Sequence, residues 1–410
     1  MTISTQPRIP VPEPLRGCET GTFTHNSVAI RLPEIGRQMV RDNNFSPAVA
    51  AAVEALLAEI PTGRIRALAQ QGAPDAAAWA GYVAPYIDQD WLQVPWFFVE
   101  TYFYRRVLEA TGYFAPGPGK EIDPFLYQKL HGLEAARPAI RLLAEQSSLL
   151  LSGSIAEQEG LAMLLTVDLW GNQVDLSLWP VDSDEKPDHA DSGQQKAHTL
   201  VDDSQAIAGY LLGRPGPVRR IDMILDNAGF ELVADLFLAA YILERGISER
   251  VYLQAKSHPT FVSDAMIKDV RQTVNFLAAD DHSGVIAVAQ ILWRMLEEGR
   301  LRLVEDYFWT SALEMWLMPG PLREELAKSE LVISKGDANY RRLLGDRHWP
   351  HTTDFADVVA YSPAPVAALR TQKSEVAVGL EPGQAETVAR QDPEWLVNGR
   401  WGVIQFWDGT

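Results

Sequence analysis

RRIDMILDNAGFELVADLFLAAYILERGISERVYLQAKS, residues 219–257, decides the fold. An apolar run, Met223-Ile224-Leu225, reads as a buried strand that stops abruptly at Asp226-Asn227. A helical pattern of apolar residues starts after Gly229, and ERVYLQAKS reads as a second strand. Strand, helix, strand in this order predicts a parallel pair with a crossover helix on one face. The stretch also poses a chemical question. A carboxylate beside a carboxamide at a strand's end suits a hard divalent cation, and it equally suits the cap of the following helix.

The same rhythm continues downstream. LRLVEDYFW (301–309), ELVISKGD (330–337), DFADVVAYSP (354–363) and WGVIQFWDG (401–409) read as strands. DAMIKDVRQTVNFLAADD (264–281), PLREELAKS (321–329) and ANYRRLLGD (338–346) read as helices between them. Upstream the chain reads as helical over 46–60, 88–114 and 135–165, the second of these loaded with aromatics. The expected architecture is α/β, with helices on both faces of a mainly parallel sheet and a helical N-terminal domain. The expected division is a helical domain over 1–165 and a catalytic α/β domain over 166–410. Within the latter, 179–204 is polar enough to read as a long loop.

Composition narrows the function. The 410 residues carry a formal net charge of −18, a poor match to nucleic acid or an anionic membrane. One cysteine, Cys18, allows neither an internal disulfide framework nor a thiolate zinc site, as expected in a reducing cytoplasm. No apolar leader or span is legible, and nothing in the sequence sets an oligomeric state.

In such sheets ligands gather at the strands' carboxyl ends. The polar residues expected there are Asp226-Asn227, Lys256-Ser257-His258, Glu305-Asp306 and Lys335-Gly336-Asp337. Asp264, expected to open a helix, is either a cap or a third oxygen ligand. With Asp226 and Asn227 it would form an oxygen-only site with open positions, suited to Mg²⁺ or Mn²⁺ and tolerant of Co²⁺ or Ni²⁺. Asp337, Asn339, Tyr340 and Arg341 fall in the first turn of a helix, where free amides and a guanidinium can receive an anion. Arg370 and Lys373 are three apart, so a helical turn would set both cations on one face.

DNAGFEL, FVSD, KGDANYR and RTQK, in this order, resemble the damage-control phosphatases, in particular the subfamily with an Arg-Thr-x-Lys signature. WFFVETYFYRR (96–106) and LWGNQVDLSL (169–178) match earlier stretches of that family, so the resemblance spans residues 91–373. It implies an α/β/α sandwich with an N-terminal helical domain and hydrolysis of phosphate monoesters, often phosphosugars such as fructose 1-phosphate or fructose 6-phosphate. It places the divalent metal on Asp226, Asn227 and Asp264. It places the phosphorylated metabolite on Asp337, Asn339, Tyr340, Arg341, Arg370 and Lys373, with Asn172 and Asp175 in a stretch lining the same pocket. Asp226, Asp337 and Lys373 are then the expected catalytic groups. Two other readings compete. A carboxyl methyltransferase using S-adenosylmethionine would need a glycine-rich turn after the first strand, and the turn here holds one glycine, Gly229. A metal-bound scaffold without turnover could use the aromatic segment near 91–114 as a partner surface.

Overall fold

The computed structural model describes residues 5–70, 72–171 and 197–410. Among them, seven strands form one sheet in the order β1-β7-β6-β5-β2-β3-β4. These are β1 (Thr199–Asp202), β2 (Ile221–Ile224), β3 (Val251–Lys256), β4 (Leu301–Asp306), β5 (Leu331–Lys335), β6 (Val366–Thr371) and β7 (Gly402–Trp407). Five of them, β6-β5-β2-β3-β4, run parallel, in register Ile221↔Leu331 and Ile221↔Val251 about the central β2. β7 is antiparallel to β6 and parallel to β1, so the far edge runs the other way.

Alternating side chains on the strands supply both apolar layers. Ile221, Met223, Val251, Leu253, Leu331 and Ile333 join one core. Ile224, Val332, Val366 and Ala368 join another. Over the first face lie the helices Arg137–Leu151, Glu157–Trp170, Phe230–Glu244, Ile267–Ala278 and Ser283–Glu297. From Phe230 through Leu243 every residue of the Phe230–Glu244 helix is buried, as expected of a helix apolar on all sides. The second face is covered by the N-terminal helices, above all the aromatic Trp96–Thr111, together with Gly336–Leu344. The result is an α/β/α sandwich whose N-terminal helices lie on one face of the sheet.

Three sequence expectations are corrected. DFADVVAYSP is not a strand: Phe355–Val359 is a short helix, capped by Asp354, whose side chain accepts the Ala356 N–H at 2.9 Å. The sixth strand in chain order is VAALRT, so Arg370 lies in an extended strand and not on a helical turn with Lys373. In the polar 179–204 segment the described part includes β1, a half-exposed edge strand held beside β7.

Candidate active site

β2 is the innermost strand of the parallel set, and its carboxyl end is where the sheet presents Asp226 and Asn227. Neither caps the next helix. Gly229, with φ +89°, is the N-terminal flanking residue of Phe230–Glu244, and that end has no side-chain cap. The two residues are pinned instead by an isolated bridge to the loop after β3: Ala265 donates its N–H to the Asp226 carbonyl at 2.7 Å, and Ala228 donates to the Ser263 carbonyl at 2.6 Å. This bridge sets Asn227 opposite Asp264. Asp264 is not a cap either, since the following helix begins at Ile267 with Met266 at its cap position. Lys129, from the helix Leu126–Ala135, fixes the Asp264 carbonyl at 2.9 Å while pairing with Asp123 and Asp269.

The side chains leave oxygens over. Asn227 donates to Asp226 Oδ2 at 2.8 Å and to Glu231 at 2.9 Å, and its Oδ1 accepts the Ser263 hydroxyl at 2.5 Å. Lys256 stands 3.1 Å from Asp264 Oδ2. Asp226 Oδ1 and Asp264 Oδ1 are buried with no hydrogen-bond partner among the described residues, whereas Asp264 Oδ2 is ion-paired with Lys256. Orphaned carboxylate oxygens of this kind are costly unless a cation faces them. Burial, with Glu231 and Asp264, pushes the Asp226 carboxyl well above the ordinary range, against the pull of Lys256 and Lys373. Burial raises Asp264 as well, with Lys256 and Lys129 opposing. Two carboxylates and a carboxamide are a hard oxygen set that fits a divalent cation. Among the described residues no group of three or more His, Cys, Asp or Glu side chains could hold a metal.

β5 supplies the second wall. It ends at Lys335, and Gly336 turns the chain with φ +73°. A Cβ at Gly336 would come 1.9 Å from Asp226 Oδ2, so the glycine is what lets the helix start approach the β2 carboxylate. Asp337 follows, and its Oδ1 accepts from Arg370 Nε at 2.8 Å, the Ser374 hydroxyl at 2.9 Å and the Lys373 N–H at 3.3 Å. Burial works to raise this carboxyl, but Arg370 and Arg341 outweigh it, and the group is held below the ordinary carboxylate range. Arg341 lies over the Trp96 ring at 3.5 Å and forks onto Asp346 at 2.8 and 3.0 Å, with its remaining nitrogen on Glu100.

Asp226, Asn227, Asp264, Asp337, Arg341 and Lys373 line one cavity of about 180 Å³, joined by Arg31 and Glu100. Lys373 is half-buried, and its ammonium has no partner among the described residues. The remaining expected residues lie behind this wall. Asn339 donates to the Leu225 and Lys335 carbonyls at 2.9 and 2.8 Å and accepts from Lys256 at 3.0 Å. Tyr340 donates to Gln405 at 2.8 Å under the Arg370 guanidinium. Arg370 is committed to Asp337, to the Ser374 hydroxyl and carbonyl, and to the Val376 carbonyl. Asn172 and Asp175 lie outside the described residues. Sequence reasoning placed Lys256 at the ligand edge but gave it no part in the site, and it gave none to Glu231, Ser263, Arg31 or Glu100. Lys256, Glu231 and Ser263 were within reach, since they sit in or beside the quoted motifs. Glu100 lies in the quoted WFFVETYFYRR, but it and Arg31 reach the cavity only through the packing of the N-terminal helices on the sheet.

Residues 27–388 match the Damage-control phosphatase ARMT1-like domain. The chain belongs to that family. It is 33% identical to the damage-control phosphatase ARMT1 of Danio rerio, over 96% of this chain and 97% of that one. It is 35% identical to the Xenopus laevis protein of the same name and 30% to the human one, in both cases over 77% of this chain and 75% of the relative. A solved DUF89 family protein from Pyrococcus horikoshii aligns over 92% of this chain with 14% identity and a TM-score of 0.48. Membership in the family makes the chain a phosphatase enzyme. No helix among the described residues is long and apolar enough to cross a membrane.

Proposed function

We propose that the chain hydrolyses phosphate monoesters of small metabolites, phosphosugars such as fructose 1-phosphate or fructose 6-phosphate among them, with a divalent cation held by Asp226, Asn227 and Asp264. The observation that carries the reading is the set of buried, partner-free oxygens on Asp226 and Asp264 facing the same cavity as the uncommitted Lys373. Mg²⁺ or Mn²⁺ is the expected occupant, with Co²⁺ and Ni²⁺ tolerated. Such a cation supplies Lewis acidity toward the phosphoryl group and the attacking water.

The chain's own residues do the rest. Lys373 contacts phosphoryl oxygens and balances the charge that grows on them in the transition state. The first-turn amides of Gly336–Leu344 face the same anion. Asp337, held ionised, is placed to orient the water and take its proton as its oxygen bonds to phosphorus. The ester P–O bond breaks, and the alcohol leaves with a proton from solvent. Arg341 forms the cavity wall, while Arg370, Asn339 and Tyr340 position Asp337, Lys256 and the strand ends.

The test is phosphate release from a panel of phosphate monoesters, with each metal in turn and with excess chelator. Turnover that chelator abolishes and Mg²⁺ or Mn²⁺ restores is expected. Full turnover in chelator would overturn the cation's role, and an inert panel with every metal would favour the scaffold reading.

A further inference from the structure

The catalytic cavity is small for a metabolite. At about 180 Å³ it falls below the roughly 300–1,000 Å³ usual for ligand pockets, so it takes the phosphoryl end and little more. It adjoins an open cleft of about 770 Å³, and the two share Arg31, Phe261 and Ser263 as lining. The alcohol portion of any substrate bound by its phosphate at Lys373 must extend into that cleft.

The cleft has a pronounced charge. One wall is the helix Leu32–Asp42 with the preceding Arg31, and the cleft lining takes from it Arg31, Arg37 and Arg41 against one carboxylate, Glu34, while the Asp42 carboxylate is held behind the lining by Gln38 and Gln128. The opposite wall is Phe261-Val262, a pair of non-glycine residues with φ +45° and +67°. Left-handed backbone at two consecutive bulky residues persists where the surroundings impose it, commonly at ligand sites. The Phe261 ring packs 5.3 Å from Tyr104, which secures this wall to the aromatic helix. Arg31 and Arg37 have no side-chain partner among the described residues. Arg41 is steadied through Nε and Nη2 on the Gln38 side-chain Oε1 at 3.1 and 2.5 Å, which leaves Nη1 open. In a chain of net charge −18, three arginines gathered at the mouth of a phosphate site are a local reversal of sign.

Resting on the phosphatase reading, we infer that this cleft is a second anion subsite. It selects phosphate monoesters that carry another phosphate or a carboxylate on the alcohol portion, received by Arg31, Arg37 and Arg41. Arginine forks match either group.

Three phosphonate analogues, whose P–C bonds resist hydrolysis, test it by calorimetry on the full chain with Mg²⁺: a hexose monophosphonate, its bisphosphonate, and a monophosphonate bearing a carboxylate. At least one of the analogues with two anionic groups should bind about tenfold or more tighter than the monophosphonate at low salt. The preference should shrink at high salt, and it should fall to about twofold in the Arg37→Gln/Arg41→Gln variant, whose changes lie on exposed positions. Equal binding of all three analogues, or a preference that survives in the double variant, would overturn the subsite. Phosphate release from monoesters, assayed in parallel, reports on hydrolysis separately. If release fails while the preference for two anionic groups holds, the phosphatase reading falls and the subsite stands.

Discussion

The two walls of the cavity are built on opposite plans. On the β5–β6 side, Arg341 and Arg370 are shared among Glu100, Asp346 and Asp337, with nearly every guanidinium nitrogen bound to a carboxylate, a hydroxyl or a carbonyl. On the β2–β3 side, one cation, Lys256, is ion-paired with Asp264, and buried oxygens on Asp226 and Asp264 are left without partners. Both sides are acidic, buried and assembled from strand ends. The difference is that one is complete within the protein, whereas the other leaves buried carboxylate oxygens that the proposed cation would satisfy.

The largest effect expected from breaking the complete side is on stability. Arg341→Ala strands Glu100 and Asp346 as buried charges, and losing one partner of a buried pair typically costs about 3–5 kcal/mol. Denaturant unfolding should show that loss at neutral pH; an unchanged midpoint would mean that the carboxylates find water or protons instead.

Lys373→Ala touches the open side and should do the reverse. Removing one donor to a phosphoryl group gaining charge costs about 10²–10³ in turnover. Unfolding should be unaltered, since the ammonium has no protein partner among the described residues. Wild-type turnover in this variant would remove Lys373 from the catalytic groups.

The smallest change in atoms is a methyl group at the seam between the walls. Gly336→Ala places a Cβ against Asp226 Oδ2 at a left-handed φ, a strain of roughly 1–3 kcal/mol before any clash is relieved. Asp226 must move to accommodate it. The expected result is a raised metal requirement with modest loss of stability, read as the Mg²⁺ concentration for half-maximal turnover. An unshifted Mg²⁺ requirement would mean that the Gly336 approach does not position Asp226.

Much of this contrast was legible before any coordinates. β2, β3 and β5 are mostly apolar runs ending in polar residues, because a strand buried on both faces is rich in apolar side chains, and the buried polar exceptions, Asp222 and Gln254, bond to each other. Asp226, Asn227 and Asp337 stood out for that reason, Asp264 as a helix opener and Lys373 through its spacing from Arg370, and the five share a cavity. Arg370 was misread because three-residue spacing signals a shared face only on a helix, and VAALRT carries little to distinguish strand from helix. DFADVVAYSP misled in the opposite sense: its apolar run is short, and the Asp354 cap decided for helix. β1 was hidden in a polar segment because an exposed edge strand need not be apolar. That Arg341 forms wall structure depends on Glu100, 241 positions away in sequence, and no local pattern announces such a pairing.

The central claim is that Asp226, Asn227 and Asp264 are ligands and not caps or core polar groups. It is tested most directly by calorimetric titration of Mn²⁺ into the wild-type chain and into Asp226→Ser, each checked by circular dichroism and thermal unfolding. Serine keeps a competent cap but no carboxylate. Wild type should bind saturably. Asp226→Ser should stay folded and bind more than about 100-fold more weakly, since even changes behind a ligand cost 10–100-fold. A folded Asp226→Ser chain that binds Mn²⁺ as wild type does would contradict the assignment.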